Sequence, residues 1–253
     1  AATSSRPAPT RESAAATDWF QVAAGADHTC GTKTDRSLWC WGSNGSGQLG
    51  DGTITQRLVP TRERSRASDW ALLDASSSHT CGVKDDGSLW CWGYNGSGQL
   101  GDATRTRRLV PTQESTSAND WAQVAAGSSH TCGVKEDGSL WCWGDNGGGQ
   151  LGDATRTQRL VPTRESTSAN DWVQVAAGPG HTCGVKTDGT LWCWGRNRYG
   201  ALGDGTQSDR MTPTREGNAA SDWLQVSAGQ DHGCAVKTDG SLWCWGNDFY
   251  GQL

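Results

Sequence analysis

The residues of this chain that could do chemistry come in fixed sets. Ten cysteines form five pairs ten positions apart: Cys30 and Cys40, Cys81 and Cys91, Cys132 and Cys142, Cys183 and Cys193, Cys234 and Cys244. A histidine precedes the first cysteine of each pair by two residues, at His28, His79, His130, His181 and His232. Thiolates and imidazoles suggest zinc or redox chemistry, but zinc sites favour short C-x-x-C knuckles and redox catalysis uses a C-x-x-C at a helix N-terminus. Neither motif occurs, and an even number of regularly spaced cysteines predicts structural disulfides. The loops Asp51-Gly52-Thr53 and Asp204-Gly205-Thr206 raise calcium, yet Asp102 and Asp153 are followed by Ala-Thr. A dedicated calcium loop carries more oxygen ligands, so turn formation is the simpler expectation. No nucleophile and base break the pattern as a catalytic pair would. No enzyme activity, metal or cofactor is expected.

The elements that hold these residues follow from a repeat. Asp-Trp recurs at Asp18-Trp19, Asp69-Trp70, Asp120-Trp121, Asp171-Trp172 and Asp222-Trp223, 51 residues apart each time. All 15 tryptophans and all 10 cysteines obey that period. Hydrophobic residues make up only 34% of the 253, so indoles supply much of the apolar surface. The N-terminal Ser5-Arg6-Pro7-Ala8-Pro9-Thr10-Arg11-Glu12 aligns with Gln56-Arg57-Leu58-Val59-Pro60-Thr61-Arg62-Glu63. The two ends therefore complement one another. This phase predicts one domain, residues 1–253, closed as a ring in which residues 1–12 complete the unit begun by the last repeat. A linear solenoid would need distinct capping repeats.

Within the third unit, residues 120–127 alternate large and small side chains and end in Gly127, as a short strand does. His130 to Lys135 is a second strand and Ser139 to Gly144 a third, joined by Glu136-Asp137-Gly138 with glycine where a bulged hairpin wants a left-handed residue. Arg108-Leu109-Val110-Pro111-Thr112 suits an outer strand, where Pro111 is tolerated at an edge. Four short strands per unit of this length predict an all-β, five-bladed propeller. The hairpin register sets Cys132 opposite Cys142, and likewise every other pair, close enough to bridge. Each bridge is worth about 3 kcal/mol in the chain-entropy model and implies an oxidising compartment. Trp141 is expected over Gly133, which has no side chain to exclude the indole.

Val124-Ala125-Ala126-Gly127, His130-Thr131-Cys132, Asp137-Gly138, Leu140-Trp141, Trp143-Gly144, Asn146 and Gly149-Gln150-Leu151-Gly152-Asp153 together resemble the regulator of chromosome condensation repeat. The resemblance covers all five copies. It implies a β-propeller, commonly of seven blades, and a structural role for the repeated histidine. The cysteine pairs depart from the best-known intracellular members. Family function is diverse: a nuclear exchange factor, an ultraviolet-B photoreceptor and a secreted inhibitor of β-lactamases all carry the fold. Disulfides make an extracellular binding role the most compatible.

Positions that break the repeat are the best guide to a site. The loop after Trp-Gly reads Ser43-Asn44-Gly45-Ser46, Tyr94-Asn95-Gly96-Ser97 and Asp145-Asn146-Gly147-Gly148, then Arg196-Asn197-Arg198-Tyr199 and Asn247-Asp248-Phe249-Tyr250. Arg196, Arg198, Tyr199, Phe249, Tyr250 and Tyr94 are the candidate binding residues, because Arg and aromatic side chains anchor protein interfaces and aromatics stack on sugars. The partner expected is a protein or a carbohydrate. Self-assembly by strand exchange is the alternative. A net charge of −5 argues against nucleic acid, and Arg105, Arg107, Arg108, Arg156 and Arg159 read as a solvated face. No apolar run is long enough to insert in a membrane. Asn44 and Asn95 lie in glycosylation sequons. The start Ala1-Ala2-Thr3 suits a secreted or periplasmic product trimmed of a signal peptide, and equally an engineered start.

Overall fold

A computed structural model describes residues 11, 12 and 15–253. It contains 19 strands in five antiparallel sheets and, among the described residues, no helix. The first blade is β1 (Trp19–Ala24), β2 (His28–Lys33), β3 (Leu38–Gly42) and β4 (Arg57–Arg62). The second is β5 (Trp70–Ala75), β6 (His79–Lys84), β7 (Leu89–Gly93) and β8 (Arg108–Gln113). The third is β9 (Trp121–Ala126), β10 (His130–Lys135), β11 (Leu140–Gly144) and β12 (Arg159–Arg164). The fourth is β13 (Trp172–Ala177), β14 (His181–Lys186), β15 (Leu191–Gly195) and β16 (Arg210–Arg215). The fifth has three strands, β17 (Trp223–Ala228), β18 (His232–Lys237) and β19 (Leu242–Gly246).

The hairpin register is the expected one. Cys132 pairs with Cys142 and Val134 with Leu140, and Gly138 turns with φ of 76°. All five cysteine pairs are disulfide-bonded. The outer strand slips register between Cys142 and Gly144, where β12 carries Pro162 without an N–H for the ladder. One expectation needs correction. Gly133 faces Trp141 across the ladder, but the space its missing side chain leaves is taken by Trp121, whose ring carbons lie 2.8 Å from a Cβ placed there. The inner strand delivers that indole from the other side of β10.

A single blade cannot bury its own apolar face, so the cores lie between blades. Cys30, Cys40, Leu38 and Leu49 of the first pack with Trp70, Leu73 and Trp92 of the second. The joint is polar as well. The carbonyl of Gln48 accepts from Trp92 Nε1 at 2.9 Å and from Thr80 Oγ1 at 2.9 Å. Gln99 and Gln150 do the same for Trp143 with Thr131, and for Trp194 with Thr182. A hydroxyl has one proton. Thr80, Thr131 and Thr182 spend it on that carbonyl and therefore accept from Nε2 of His28, His79 and His130 at 2.8–2.9 Å. Three of the five histidines, His28, His79 and His130, are thus inter-blade links, each held in the Nε2–H tautomer. Gly233 replaces the threonine in the fifth blade and leaves His181 Nε2 without a partner.

Inner strands are tied by side chains that imitate a ladder. Gln174 donates to the Val226 carbonyl at 3.1 Å and accepts from the Val226 N–H at 2.8 Å, and Gln123 meets Val175 in the same way. Leu72 occupies the glutamine position in the second blade. There Asp74 substitutes, accepting from the Ala126 N–H at 2.7 Å.

Two faces lack the joint. Val22 is 68% exposed, while Leu73, Val124, Val175 and Val226 are at most 7% exposed. Leu242 is 67% exposed, against 0% for Leu38, Leu89, Leu140 and Leu191. Consecutive inner strands pack from β1 through β17, but β17 and β1 do not repeat that packing. The described blades form an open arc. Of the segment expected to close it, residues 1–12, all but Arg11 and Glu12 lie outside the described residues.

Two outcomes follow for solution experiments. Eight cysteines, Cys30 through Cys193, are fully buried, whereas Cys234 and Cys244 are only half-buried. Under native conditions dithiothreitol with alkylation should label Cys234 and Cys244 first, and the other four bridges only on unfolding. Uniform labelling by peptide mass mapping would contradict this. Burial lowers the pKa of His28, His130 and His181 to about 4 and of His79 to about 3. The unfolded chain takes up these protons below about pH 6.5, so stability is full above that pH and declines as pH falls toward 4. Burial raises the Asp74 pKa, which acts in the opposite sense for one group. The melting temperature should be flat above pH 7 and drop between pH 6.5 and 4, and a flat profile down to pH 4.5 would contradict the assignment.

Candidate functional site

In the first four blades the loop from the third to the fourth strand is built around one asparagine, at Asn44, Asn95, Asn146 and Asn197. Asn44 donates from Nδ2 to Asp51 and to the carbonyls of Thr53 and Thr55, and its Oδ1 accepts from the Leu49 N–H. Asp51 also accepts from the Thr53 N–H and hydroxyl and from Arg57. Burial pushes the Asp51 carboxyl up, but Thr53, Arg57 and Asn44 together hold it below its ordinary pKa. Asp102, Asp153 and Asp204 share the arrangement and the direction. An arginine therefore sits where a cation would have to bind, and the Asp-Gly-Thr segments are turns. Asn44 and Asn95 are buried with their amides fully engaged, so the sequons are closed to a glycosyltransferase in the folded chain.

A glutamine tethers the loop tip in four blades. Oε1 of Gln48, Gln99, Gln150 and Gln252 accepts from the backbone N–H of Ser46, Ser97, Gly148 and Tyr250 at 2.8–3.0 Å. The fourth blade has Ala201 instead. Without the tether, Tyr199 takes φ of 88°, a left-handed conformation costly for a residue with a side chain and not adopted by its four counterparts. The loop is held differently there, through the Asn197 N–H donating to Asp209 Oδ1 at 3.0 Å.

The structure places all six candidate residues on these loops, exposed. The Arg198 guanidinium lies 4.9 Å from the Tyr199 ring centroid, and Phe249 and Tyr250 meet edge to face at 4.9 Å. Tyr94 leans over Gly96 of its own loop. It makes no ring contact with the five candidate positions of blades four and five. The remaining arginines are mostly engaged: Arg108 with Asp102, Arg159 with Asp153, Arg156 with Asp209, Arg105 with Gln158, and Arg107 with the Gly45 carbonyl.

Sequence reasoning from side chains that stand out missed three partners of this site. Ala201, Gly148 and Gly180 are departures toward smaller residues, visible in the repeat alignment but silent as chemistry. It also missed Asp74, which faces the central channel of about 540 Å³ lined by Ala75, Ala126, Ala177 and Ala228. Asp74 accepts from the N–H groups of Ala75 and Ala126, so its place is explained by the joint.

Comparison with known proteins agrees with this architecture. The family described as the RCC1-like domain matches residues 2–253. The ultraviolet-B receptor UVR8 of Arabidopsis thaliana is 33% identical over 237 residues, covering 92% of this chain and 54% of the receptor. Among solved structures, human WBSCR16 superposes with a TM-score of 0.76 at 23% identity, over 87% of this chain and 58% of that one. Prp20p of Saccharomyces cerevisiae, a structure reported with binding to Gsp1p and histones, gives 0.77 at 23% identity over 89% and 57%. The chain thus spans about half the length of the ultraviolet-B receptor. By its repeat, its blade topology and these matches, the chain belongs to the RCC1-like domain family.

Proposed function

We propose that this chain is a non-enzymatic binding module of an oxidising, extracellular compartment, which recognises a protein or carbohydrate through the loops of its fourth and fifth blades. One observation carries the reading. Ala201 removes the tether that the other four loops keep, and the released loop presents Arg196, Arg198 and Tyr199 with Tyr199 in a strained backbone conformation. Strain of this kind costs about 1–3 kcal/mol and tends to be kept at functional sites. Phe249 and Tyr250 extend the exposed surface in the next blade. Five disulfides support the compartment, and propellers of the same fold whose structures are reported with protein partners support the class of role.

A second reading rests on a different observation. The last sheet has three strands, with the edge of β19 open and Leu242 and Trp243 exposed among the described residues. An edge of this kind accepts a strand from a neighbouring subunit. The chain would then be a structural element of an assembly.

Pull-down from native extracellular medium, with a glycan array in parallel, tests the first reading. Tyr199→Ala with Phe249→Ala should lower capture about tenfold or more, the scale of paired hot-spot residues, with the melting temperature unchanged. Ala201→Gln should restore the tether and weaken capture without removing any contact side chain. Undiminished capture by both variants would overturn the reading. Sedimentation over a wide concentration range tests the second, which predicts growing oligomers and fails if only monomer is found.

A further inference from the structure

Arg196 sits in a space that two other departures from the repeat create. A Cβ at Gly148 would lie 2.4 Å from Arg196 Cγ, and one at Gly180 would lie 2.9 Å from Arg196 Cδ. Serine, aspartate or tyrosine occupies those two positions in every other blade. Gly148 belongs to the loop of the third blade and Gly180 to the hairpin between β13 and β14. The stem of Arg196 is therefore gripped between two blades by residues that have lost their side chains at these places only. Its backbone is fixed too, through its N–H donating to the Gly180 carbonyl at 2.9 Å.

The charged end of this side chain has no acidic partner among the described residues, and neither does that of Arg198. Arg57, Arg108, Arg159 and Arg210 are all paired with an aspartate of their own loop. The carboxylate that joins this loop, Asp209, is already shared between the Asn197 N–H and Arg156. Two unpaired guanidinium groups, one with a gripped stem and one stacked on Tyr199, stand on a protein of net charge −5. A prepositioned guanidinium is a bidentate donor for carboxylate.

We propose that the fourth-blade loop is a seat for an acidic polypeptide segment, with Arg196 and Arg198 receiving its carboxylates and Tyr199 and Phe249 covering the flanking side chains. This deepens the binding-module reading and rests on it. A polypeptide fits better than a small anion because the site is a protruding loop with aromatic neighbours, arranged like a protein hot spot.

The test uses the 253-residue chain and a fluorescent twelve-residue oligoglutamate, with oligolysine and a heparin oligosaccharide as comparison probes. Oligoglutamate should bind, more weakly as salt rises, and oligolysine should not. Arg196→Gln and Arg198→Gln should each weaken binding about tenfold, the scale of a charge-assisted pair, while Arg107→Gln on another loop changes it less than about twofold. Gly148→Ser with Gly180→Ser, which restores residue types found elsewhere in the repeat, should weaken binding as much as Arg196→Gln although every charge is kept. Equal losses from Arg107→Gln, or full binding by the serine pair with the melting temperature unchanged, would overturn the seat. Tighter binding of heparin through the same arginines would overturn the polypeptide assignment. Native capture that needs Tyr199 and Phe249 but ignores Arg196→Gln and the serine pair would remove the acidic seat alone. Capture that ignores every loop variant would remove the binding module as well.

Discussion

The fold depends on one joint, the carbonyl of a loop glutamine accepting two hydrogen bonds from the next blade. Gln48 receives Trp92 and Thr80, and the threonine in turn receives His28. Three polar groups and an indole are buried together with no charge among them. In a buried setting each unmade bond costs about 1–3 kcal/mol, the penalty that Gly233 leaves on His181 Nε2. The surrounding leucines and disulfides contribute area and constraint. The joint is what makes one blade recognise another.

Much of the sequence periodicity follows from that constraint. Gly50, Gly101 and Gly152 have positive φ, and a Cβ at each would lie under 3.0 Å from the nitrogen of the docking tryptophan. Close approach and backbone conformation both require glycine there. In the first four blades a buried asparagine shapes the turn that presents the carbonyl, and an aspartate–arginine pair closes the loop. Ion pairs, caps and aromatic contacts repeat because they serve the same geometry at each junction.

Departures from the repeat cluster around the fourth blade and its junctions with the third and the fifth. Ala201 has lost the loop tether, Gly233 has lost the threonine that His181 would meet, and Gly148 and Gly180 have made room for Arg196. The backbone part of the joint survives, since Trp245 still donates to the Ala201 carbonyl at 2.9 Å. Substitution of side chains has altered the surface without breaking the docking. The second blade shows the contrasting case. Leu72 loses a glutamine stitch, and Asp74 regains a hydrogen bond to the next blade two residues later. That departure is compensated inside the fold, whereas the Arg196 group opens to solvent.

The sequence by itself determined the blades, their number in this chain and the cysteine pairing, because strand alternation and hairpin length fix register locally. It also located the loops that leave the pattern, since a 51-residue period makes each position its own control. It did not reveal which side chain fills the space over Gly133, because β9 and β11 flank β10 on opposite edges and alternation cannot choose between their indoles. Nor could it tell that the histidines link neighbouring blades, that the sequon asparagines are buried, or that Gly148 and Gly180 lie against Arg196. Those contacts join residues of different strands, hairpins and blades, so only the tertiary packing, which sets one blade against the next, decided them.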